Sequence, residues 1–158
     1  MVRILLADDH SIVRRGLRQL LEEQQGWEIV GEAANGRQAV EMAKKLMPHV
    51  AIFDLQMSEL NGLEATRQLR HALPSTEVLI FTMHDSEQLI REVLATGARG
   101  YLLKSDAPRH IVDAVEALAQ HKPFFNWKAS EAILDGFLRG EARLCERSIS
   151  DPLTGRER

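Results

Sequence analysis

The sequence predicts an α/β protein in which five strands form a parallel sheet covered by helices on both faces. Short runs rich in Val, Ile and Leu alternate with segments whose apolar residues recur at helical spacing. Such continuous apolar runs are typical of strands that are buried on both faces. The chain has 158 residues with 44% hydrophobic content, which suffices for one such domain and an appendage.

The strands are the apolar runs that end in polar or turn-forming residues. We expect them at 2–7, 27–33, 50–54, 77–82 and 99–103. Each run is followed by a segment with the spacing of a buried helical stripe. The stripe positions are Val13, Leu17, Leu20 and Leu21, then Val40, Ala43 and Met47, then Leu63, Thr66, Leu69 and Leu73, then Ile90, Val93 and Leu94, and last Ile111, Val115, Leu118 and Ala119.

Several residues indicate where these helices begin and end. Pro74 is expected to end the third helix, and Gly97 the fourth. Ser105 and Asp106 are candidate caps for the fifth helix, which has Pro108 in its first turn. After Gln120 the pattern changes. Residues 121–126 predict a turn and 127–138 one more amphipathic helix, while the segment from residue 141 is charged like a linker.

Composition excludes several classes of protein. A net charge of −3 gives no broad basic surface, so tight binding of nucleic acid by this chain alone is not expected. The single cysteine, Cys145, cannot form an internal disulfide, which fits a reducing compartment. No apolar stretch approaches the roughly 20 residues of a membrane span. The N-terminus runs directly into a strand without a signal peptide, so we expect a cytoplasmic protein.

Three carboxylates end two of the predicted strands. Asp8 and Asp9 follow the first strand and Asp54 ends the third. If these strands are adjacent and parallel, the carboxylates meet at one edge, where like charges about 4 Å apart repel by roughly 4 kcal/mol per pair. Such a cluster needs a cation or a shared proton, and hard oxygen ligands suit Mg²⁺. Thr82 and Lys104 end two further strands, so the edge is expected to handle a phosphoryl group.

Simpler structural roles exist for the same residues. Asp8 or Asp9 alone is typical of a cap on the first helix, and His10 is expected to cap or flank that helix. Lys104 alone is typical of a solvated surface charge. The six histidines are scattered in the sequence, so no transition-metal site is expected. Only the combination of acidic, hydroxyl and ammonium groups favours the functional interpretation.

The order and spacing of these residues resemble the receiver domains of two-component response regulators. The motifs are Asp8-Asp9-His10, Asp54-Leu55-Gln56-Met57, Thr82 and Lys104, and the segments 81–85 and 100–106 are similar to the NarL/FixJ subfamily. The resemblance covers residues 2–121. It implies a flavodoxin-like (βα)5 fold, a doubly wound five-stranded parallel sheet in the order 2-1-3-4-5, with an extra C-terminal linker helix near 127–138.

The resemblance also implies a role for each site residue. Asp54 is then the phosphoacceptor, and Thr82 and Lys104 contact the phosphoryl oxygens. Magnesium is bound directly by Asp9, by Asp54 and by the backbone carbonyl of Gln56, and by Asp8 largely through water. Tyr101 is the switch aromatic that turns inward when Thr82 moves toward the phosphoryl group.

Partners and domain boundaries follow from the same resemblance. The expected donor is a sensor histidine kinase, and phosphorylation is expected to favour a homodimer. Residues 1–121 are assigned to the receiver and 122–150 to a linker. Residues 151–158 are similar to the start of a LuxR-type helix-turn-helix domain, so we expect a truncated transcription regulator that contacts DNA only through the missing domain.

Departures from the family pattern leave other functions open. Ser58 stands where proline is usual, so the loop after Asp54 is expected to be less rigid. Met83 is expected to narrow access to Asp54, and a receiver that acts only as an interaction domain stays possible. A phosphohydrolase of the haloacid dehalogenase type is disfavoured because Gln56 stands where a second Asp is needed. A flavin-binding module is disfavoured because no phosphate loop follows the first strand.

Overall fold

The chain alternates strands and helices in the predicted order. A computed structural model describes residues 1–83 and 86–125. The strands are β1 (Val2–Ala7), β2 (Trp27–Ala33), β3 (Val50–Asp54), β4 (Glu77–Thr82), β5 (Gly100–Leu103) and β6 (Phe124–Phe125). The helices are α1 (Ser11–Glu22), α2 (Gly36–Leu46), α3 (Gly62–Ala72), α4 (Glu87–Ala95) and α5 (Ala107–Ala119), and a 3-10 turn spans Lys104–Asp106.

The six strands form one parallel sheet in the order β2-β1-β3-β4-β5-β6. The flavodoxin-like fold and the order of the first five strands are therefore confirmed. The expectation of five strands was wrong by one, because part of the predicted turn at 121–126 is β6. Phe124 donates its backbone N–H to Arg99 O at 2.9 Å, and Phe125 pairs with Tyr101.

The extra strand covers the edge of β5, whose backbone groups otherwise lack a neighbouring strand on that side. A two-residue strand has no measurable period, so the sequence pattern does not reveal it. The linker after residue 125, the helix expected near 127–138 and the segment 151–158 lie outside the described residues.

Alternation along the strands divides the apolar residues between two cores. On β3, Ile52 points to the core beneath α1 and α5, and Phe53 points to the core beneath α2, α3 and α4. The neighbouring strands repeat this alternation, as a period of two requires. Both faces of the sheet are thus covered, and polar side chains are excluded from the middle of the strands.

The sheet order places the site. Connections leave β1 and β3 toward opposite faces, because α1 packs on one core and α3 on the other. A crevice opens at such a switch point, outside the carboxyl ends of the two strands. Asp8 and Asp9 follow β1, and Asp54 ends β3, so all three lie at this crevice.

Most helix ends follow the expected chemistry. The side chains of Asn35, Asn61 and Ser86 cap α2, α3 and α4 by accepting backbone N–H bonds. Helix α4 ends just before Gly97, whose φ of +95° is left-handed as expected for a glycine stop. Asp106, one of the two capping candidates, occupies the N-cap position of α5, but its side chain makes no capping hydrogen bond. The 3-10 turn before the helix is closed instead by Ala107 N–H, which donates to Lys104 O.

None of the helices within residues 1–83 and 86–125 combines the length and the apolar character needed to cross a bilayer.

Candidate functional site

Asp54 is the buried acid at the centre of the site. It is the last residue of β3 and is only 5% exposed. Burial raises the pKa of its carboxyl to about 6, and the nearby charge of Asp8 adds to that rise, while Lys104 opposes it. A carboxylate with this pKa is still mostly ionised at neutral pH, so it can act as a nucleophile there.

Lys104 bridges the two buried acids. It begins the 3-10 turn after β5, and its side chain is 13% exposed. Its Nζ is 3.1 Å from Asp8 Oδ2 and 3.4 Å from Asp54 Oδ1. The ammonium also lies 5.7 Å from the centroid of the Phe81 ring. One cation therefore offsets part of the repulsion between carboxylates brought together by β1 and β3.

Asp8 differs from Asp9 in its surroundings. The Asp8 side chain is 3% exposed, whereas that of Asp9 is 39% exposed. Asp8 Oδ2 is buried and accepts no hydrogen bond, because its contact with Lys104 is an ion pair without hydrogen-bond geometry. A buried carboxylate oxygen in that state still has capacity for a further cation or a water molecule. Neither Asp8 nor Asp9 caps α1, since residue 10 occupies that position.

His10 flanks α1 at its N-cap position, which is one of the two expected roles, but its side chain does not cap the helix. The side chain makes no capping hydrogen bond, and its Nδ1 lies 3.1 Å from Asp8 Oδ1 and 3.0 Å from Asp9 Oδ1. The ring turns toward the two acids, where a nearby negative charge offers a partner that the helix end does not. Consecutive acidic and imidazole residues after a strand are the sequence signal for this contact.

The acidic group has the composition and spacing of a divalent-cation site. Ligand atoms of Asp8, Asp9, His10 and Asp54 all lie within 4.8 Å of one another. Oxygen ligands of this kind suit Mg²⁺, which needs few protein ligands because it retains several waters. Together with the unsatisfied Asp8 Oδ2, this donor set fits the ion that the sequence predicts.

Thr82 and Gln56 complete the surroundings of Asp54. They line a cavity of about 210 Å³ together with Asp9, His10, Asp54, Met83 and Lys104. Thr82 ends β4 and is 1% exposed, while Gln56 is exposed in the loop after β3. Met83 is 76% exposed at the rim. A cavity of this size, with a hydroxyl and an ammonium beside a carboxylate, is suited to a phosphoryl group.

The loop after Asp54, in which Ser58 stands where proline is usual, makes several backbone hydrogen bonds. Ser58 O accepts bonds from Gly36 N at 3.3 Å and Leu60 N at 2.7 Å, and Gly62 N donates to Leu55 O at 2.9 Å. The carbonyl of residue 58 would accept the same bonds if proline stood there, so the less rigid loop stays a prediction.

Tyr101 lies on the inner side of the sheet. It is fully buried in the core beneath α2, α3 and α4, and its neighbours across the sheet are Ile80 and Phe125. Its ring therefore already points inward in this structure, whereas the resemblance implied that it turns inward on activation. Thr82 lies on the adjacent strand β4, where it pairs with Leu103.

Comparison with known proteins agrees with this geometry. The family model described as "Response regulator receiver domain" matches residues 4–116. The chain is 33% identical over 156 residues to the uncharacterized transcriptional regulatory protein YxjL of Bacillus subtilis, covering 99% of this chain and 72% of YxjL. It is 34% identical to the transcriptional regulatory protein DegU of Brevibacillus brevis, covering 87% of this chain and 58% of DegU.

Solved structures give the same result. A two-component response regulator of the LuxR family from Aurantimonas sp. SI85-9A1 superposes with a TM-score of 0.81 at 33% identity, covering 87% of this chain and 99% of that chain. The signal receiver domain of the response regulator NarL from Mycobacterium tuberculosis superposes with a TM-score of 0.72 at 35% identity. The match covers 75% of this chain and 96% of that chain.

Proposed function

Because the chain belongs to the receiver domains of two-component response regulators, whose general function is a phosphorylation-dependent switch, we propose that Asp54 is its phosphoacceptor. One observation carries this assignment. Lys104 Nζ lies 3.1 Å from Asp8 and 3.4 Å from Asp54, so a buried acid, a second acid and a cation meet at one crevice.

The chemistry is transfer of a phosphoryl group from a phosphohistidine. An oxygen of the Asp54 carboxylate attacks phosphorus, an oxygen–phosphorus bond forms, and the nitrogen–phosphorus bond breaks. The imidazole nitrogen leaves with its electron pair and takes a proton. Because the donor is already activated, the protein mainly positions groups and offsets charge. The product is an acyl phosphate on Asp54, and its hydrolysis restores the carboxylate.

Magnesium is the cation that this donor set fits. Asp9, Asp54 and the backbone carbonyl of Gln56 would hold it, with Asp8 acting through water. When bound, it offsets the charge of the carboxylates and of the incoming phosphoryl oxygens. Lys104 leaves its contacts with Asp8 and Asp54 to pair with a phosphoryl oxygen. The Thr82 hydroxyl donates a hydrogen bond to another phosphoryl oxygen. The chain acts in this way as a phosphoacceptor that modifies itself and turns over no separate substrate.

The output is a shift between two conformations. Thr82 moves toward the phosphoryl group, and the space that it leaves stabilises the inward position that Tyr101 already occupies in this structure. Both residues belong to neighbouring strands at the β4–β5 side of the sheet, so the change reaches the surface formed by α4, β5 and α5. The phosphorylated state is preferred there because its phosphoryl oxygens accept a hydrogen bond from the Thr82 hydroxyl and pair with the Lys104 ammonium.

The partners are proposed from the relatives. A sensor histidine kinase supplies the phosphoryl group, in the cytoplasm, and the activated chain forms a homodimer. YxjL and DegU are transcriptional regulators longer than this chain, so its role is that of the receiver part, residues 1–121, in such a regulator. Contact with DNA belongs to a LuxR-type domain whose first residues would be 151–158, joined through a linker at 122–150.

Intact mass after treatment with acetyl phosphate and magnesium tests the assignment. The wild-type chain is expected to gain one phosphoryl group, and Asp54→Asn to gain none. Asp113→Asn, on the exposed side of α5, is the matched control and should be labelled like the wild type. Labelling of Asp54→Asn to the wild-type extent would refute the proposal, as would a wild type that stays unlabelled while correctly folded.

A further inference from the structure

His10 lies at the exposed side of the acidic cluster, and its side chain does not cap its helix. Its Nδ1 is 3.0 Å from Asp9 Oδ1 and 3.1 Å from Asp8 Oδ1. Its backbone N–H donates to Asp8 Oδ1 at 2.8 Å, which fixes residue 10 beside the two acids. The side chain is 66% exposed, so an ion from solvent can reach the ring and the ring can rotate.

The separations match those of ligands on a common ion. Two neighbouring ligands of an octahedral ion, each about 2.1 Å from it, lie about 3.0 Å apart. The distances from His10 Nδ1 to the carboxylate oxygens of Asp8 and Asp9 have this value within 0.1 Å. An ion bound by Asp9 therefore has a ring nitrogen at the distance of an adjacent coordination position.

From this geometry we infer that His10 selects between metals, because its Nδ1 adds an imidazole ligand for Ni²⁺-like transition ions that Mg²⁺ does not use. The inference rests on the proposed function, since the same acids hold both kinds of ion. Imidazole nitrogen suits nickel and zinc, whereas magnesium prefers oxygen. The scattered histidines led us to expect no transition-metal site, but one histidine suffices where Asp8, Asp9 and Asp54 supply the other ligands.

A second role fits the same distances and has to be separated from the first. In this role a proton on His10 Nδ1 is shared in hydrogen bonds with the two carboxylates. These hydrogen bonds would position the carboxylates equally for every ion. Asparagine in this place keeps an amide donor but has no imidazole. His10→Asn therefore retains positioning by hydrogen bonding and removes the ligand, whereas His10→Ala removes both.

The experiment measures Ni²⁺ and Mg²⁺ binding to the full chain by calorimetry and records the proton NMR spectrum of the Ni²⁺-loaded protein. In both His10 variants the dissociation constant for Ni²⁺ is expected to rise by about tenfold or more, while that for Mg²⁺ stays within about twofold. The wild type should show an exchangeable imidazole N–H resonance shifted by the paramagnetic ion, and both variants should lose it. His71→Asn, at an exposed histidine in the last turn of α3, should keep both properties.

Three results would overturn the inference. They are an unchanged preference for Ni²⁺ in His10→Asn, a shifted imidazole resonance that survives this substitution, and equal weakening of both ions in His10→Ala with recovery in His10→Asn. Labelling by acetyl phosphate and magnesium distinguishes this failure from failure of the proposed function. If Asp54 is labelled while the His10 variants keep the metal preference of the wild type, only the role of His10 is refuted. If the wild type is not labelled, the assignment of Asp54 as the phosphoacceptor is refuted.

Discussion

The ionised Asp54 carboxyl lowers the stability of the folded chain because it is buried beside a second acid. Its carboxyl is buried beside Asp8, and the pKa is raised from the usual 3.8 to about 6. A carboxyl whose pKa is higher in the folded chain than in the unfolded chain reduces stability when it is ionised. The loss is full above the folded pKa and disappears as the pH falls below the unfolded pKa. Without a cation, the site is therefore least favourable to folding at neutral pH.

Replacing Asp54 by Asn removes the buried negative charge and is expected to stabilise the chain at neutral pH without magnesium. A shift of about two pKa units corresponds to about 2 to 3 kcal/mol. The gain should be present at pH 7.5 and should shrink as the pH falls through about 6 toward 3.8. Urea unfolding of both proteins at pH 7.5 and 4.5 measures it. Asp113→Asn should change stability by less than about 0.5 kcal/mol, and an equal gain for Asp54→Asn at both pH values would contradict the account.

At the scale of elements, the start of α3 is pressed against the end of β3. A Cβ added to Gly62 would lie 2.3 Å from Asp54 O, and this neighbour is backbone. The glycine thus lets the helix begin directly beside the acid that ends the strand. It also lets Gly62 N–H donate to Leu55 O, which holds the loop that carries Gln56.

Gly62→Ala is therefore expected to destabilise the chain by about 2 kcal/mol or more, because backbone has to shift to admit the methyl group. It should also slow labelling of Asp54 by acetyl phosphate. Gly16→Ala is the control, since a Cβ there meets nothing within 4 Å in the exposed part of α1. That substitution should stabilise by about 0.5 to 1 kcal/mol. Thermal melts of both variants measure the contrast, and a harmless Gly62→Ala would show that the two elements are less closely packed than described.

A second buried acid links elements at the opposite end of the sheet. The Glu77 side chain begins β4 and is 2% exposed. Its Oε2 lies 2.7 Å from His121 Nδ1 and 3.3 Å from Arg99 Nη1, and its Oε1 lies 3.6 Å from Arg70 Nη1. This carboxylate joins α3, β4, the start of β5 and the segment that leads to β6.

Glu77→Gln is expected to destabilise the chain by about 2 to 4 kcal/mol, because two arginines lose their common anionic partner. Labelling of Asp54 should continue at temperatures where the variant is folded, since the cluster lies away from the carboxyl edge. Glu116→Gln, on the exposed side of α5, serves as the control. Denaturant unfolding measures the effect. A loss of labelling by folded Glu77→Gln would mean that the two ends of the sheet are coupled.

At the scale of the whole molecule, activation is expected to change association. An apolar cavity of about 220 Å³ lies between α1 and α5, lined by residues that include Val13, Leu17 and Pro108. Lys104 lines it too, so a change at the proposed phosphoryl site would alter this surface. Exposed apolar surface that responds to a switch is typical of an interaction site.

We therefore expect a monomer or weak dimer that shifts toward dimer when beryllofluoride and magnesium are added. Beryllofluoride occupies the place of the phosphoryl group, so Thr82 and Lys104 gain the same partner. Light scattering of the eluting protein measures the mass. Asp54→Asn should stay at the unactivated mass, and an unchanged wild-type mass on activation would count against dimerisation.

Much of this architecture is readable from the sequence, because buried parallel strands and helical stripes have periods that single residues do not obscure. The convergence of Asp8, Asp54 and Lys104 follows from their positions at strand ends once the sheet is parallel. Strand β6 escaped prediction because two residues have no period. The contact of His10 and the pairing of Glu77 depend on side-chain direction and on residues distant in the sequence, which periodicity does not report.

The central claim is that one aspartate at the crevice takes up the phosphoryl group. Reduction of the acetyl phosphate-treated protein with borohydride converts an acyl phosphate on aspartate to homoserine, which peptide mass spectrometry then locates. Homoserine is expected at residue 54 and at neither residue 8 nor residue 9. Homoserine at another acid, or none in a folded protein treated with magnesium and acetyl phosphate, would contradict it.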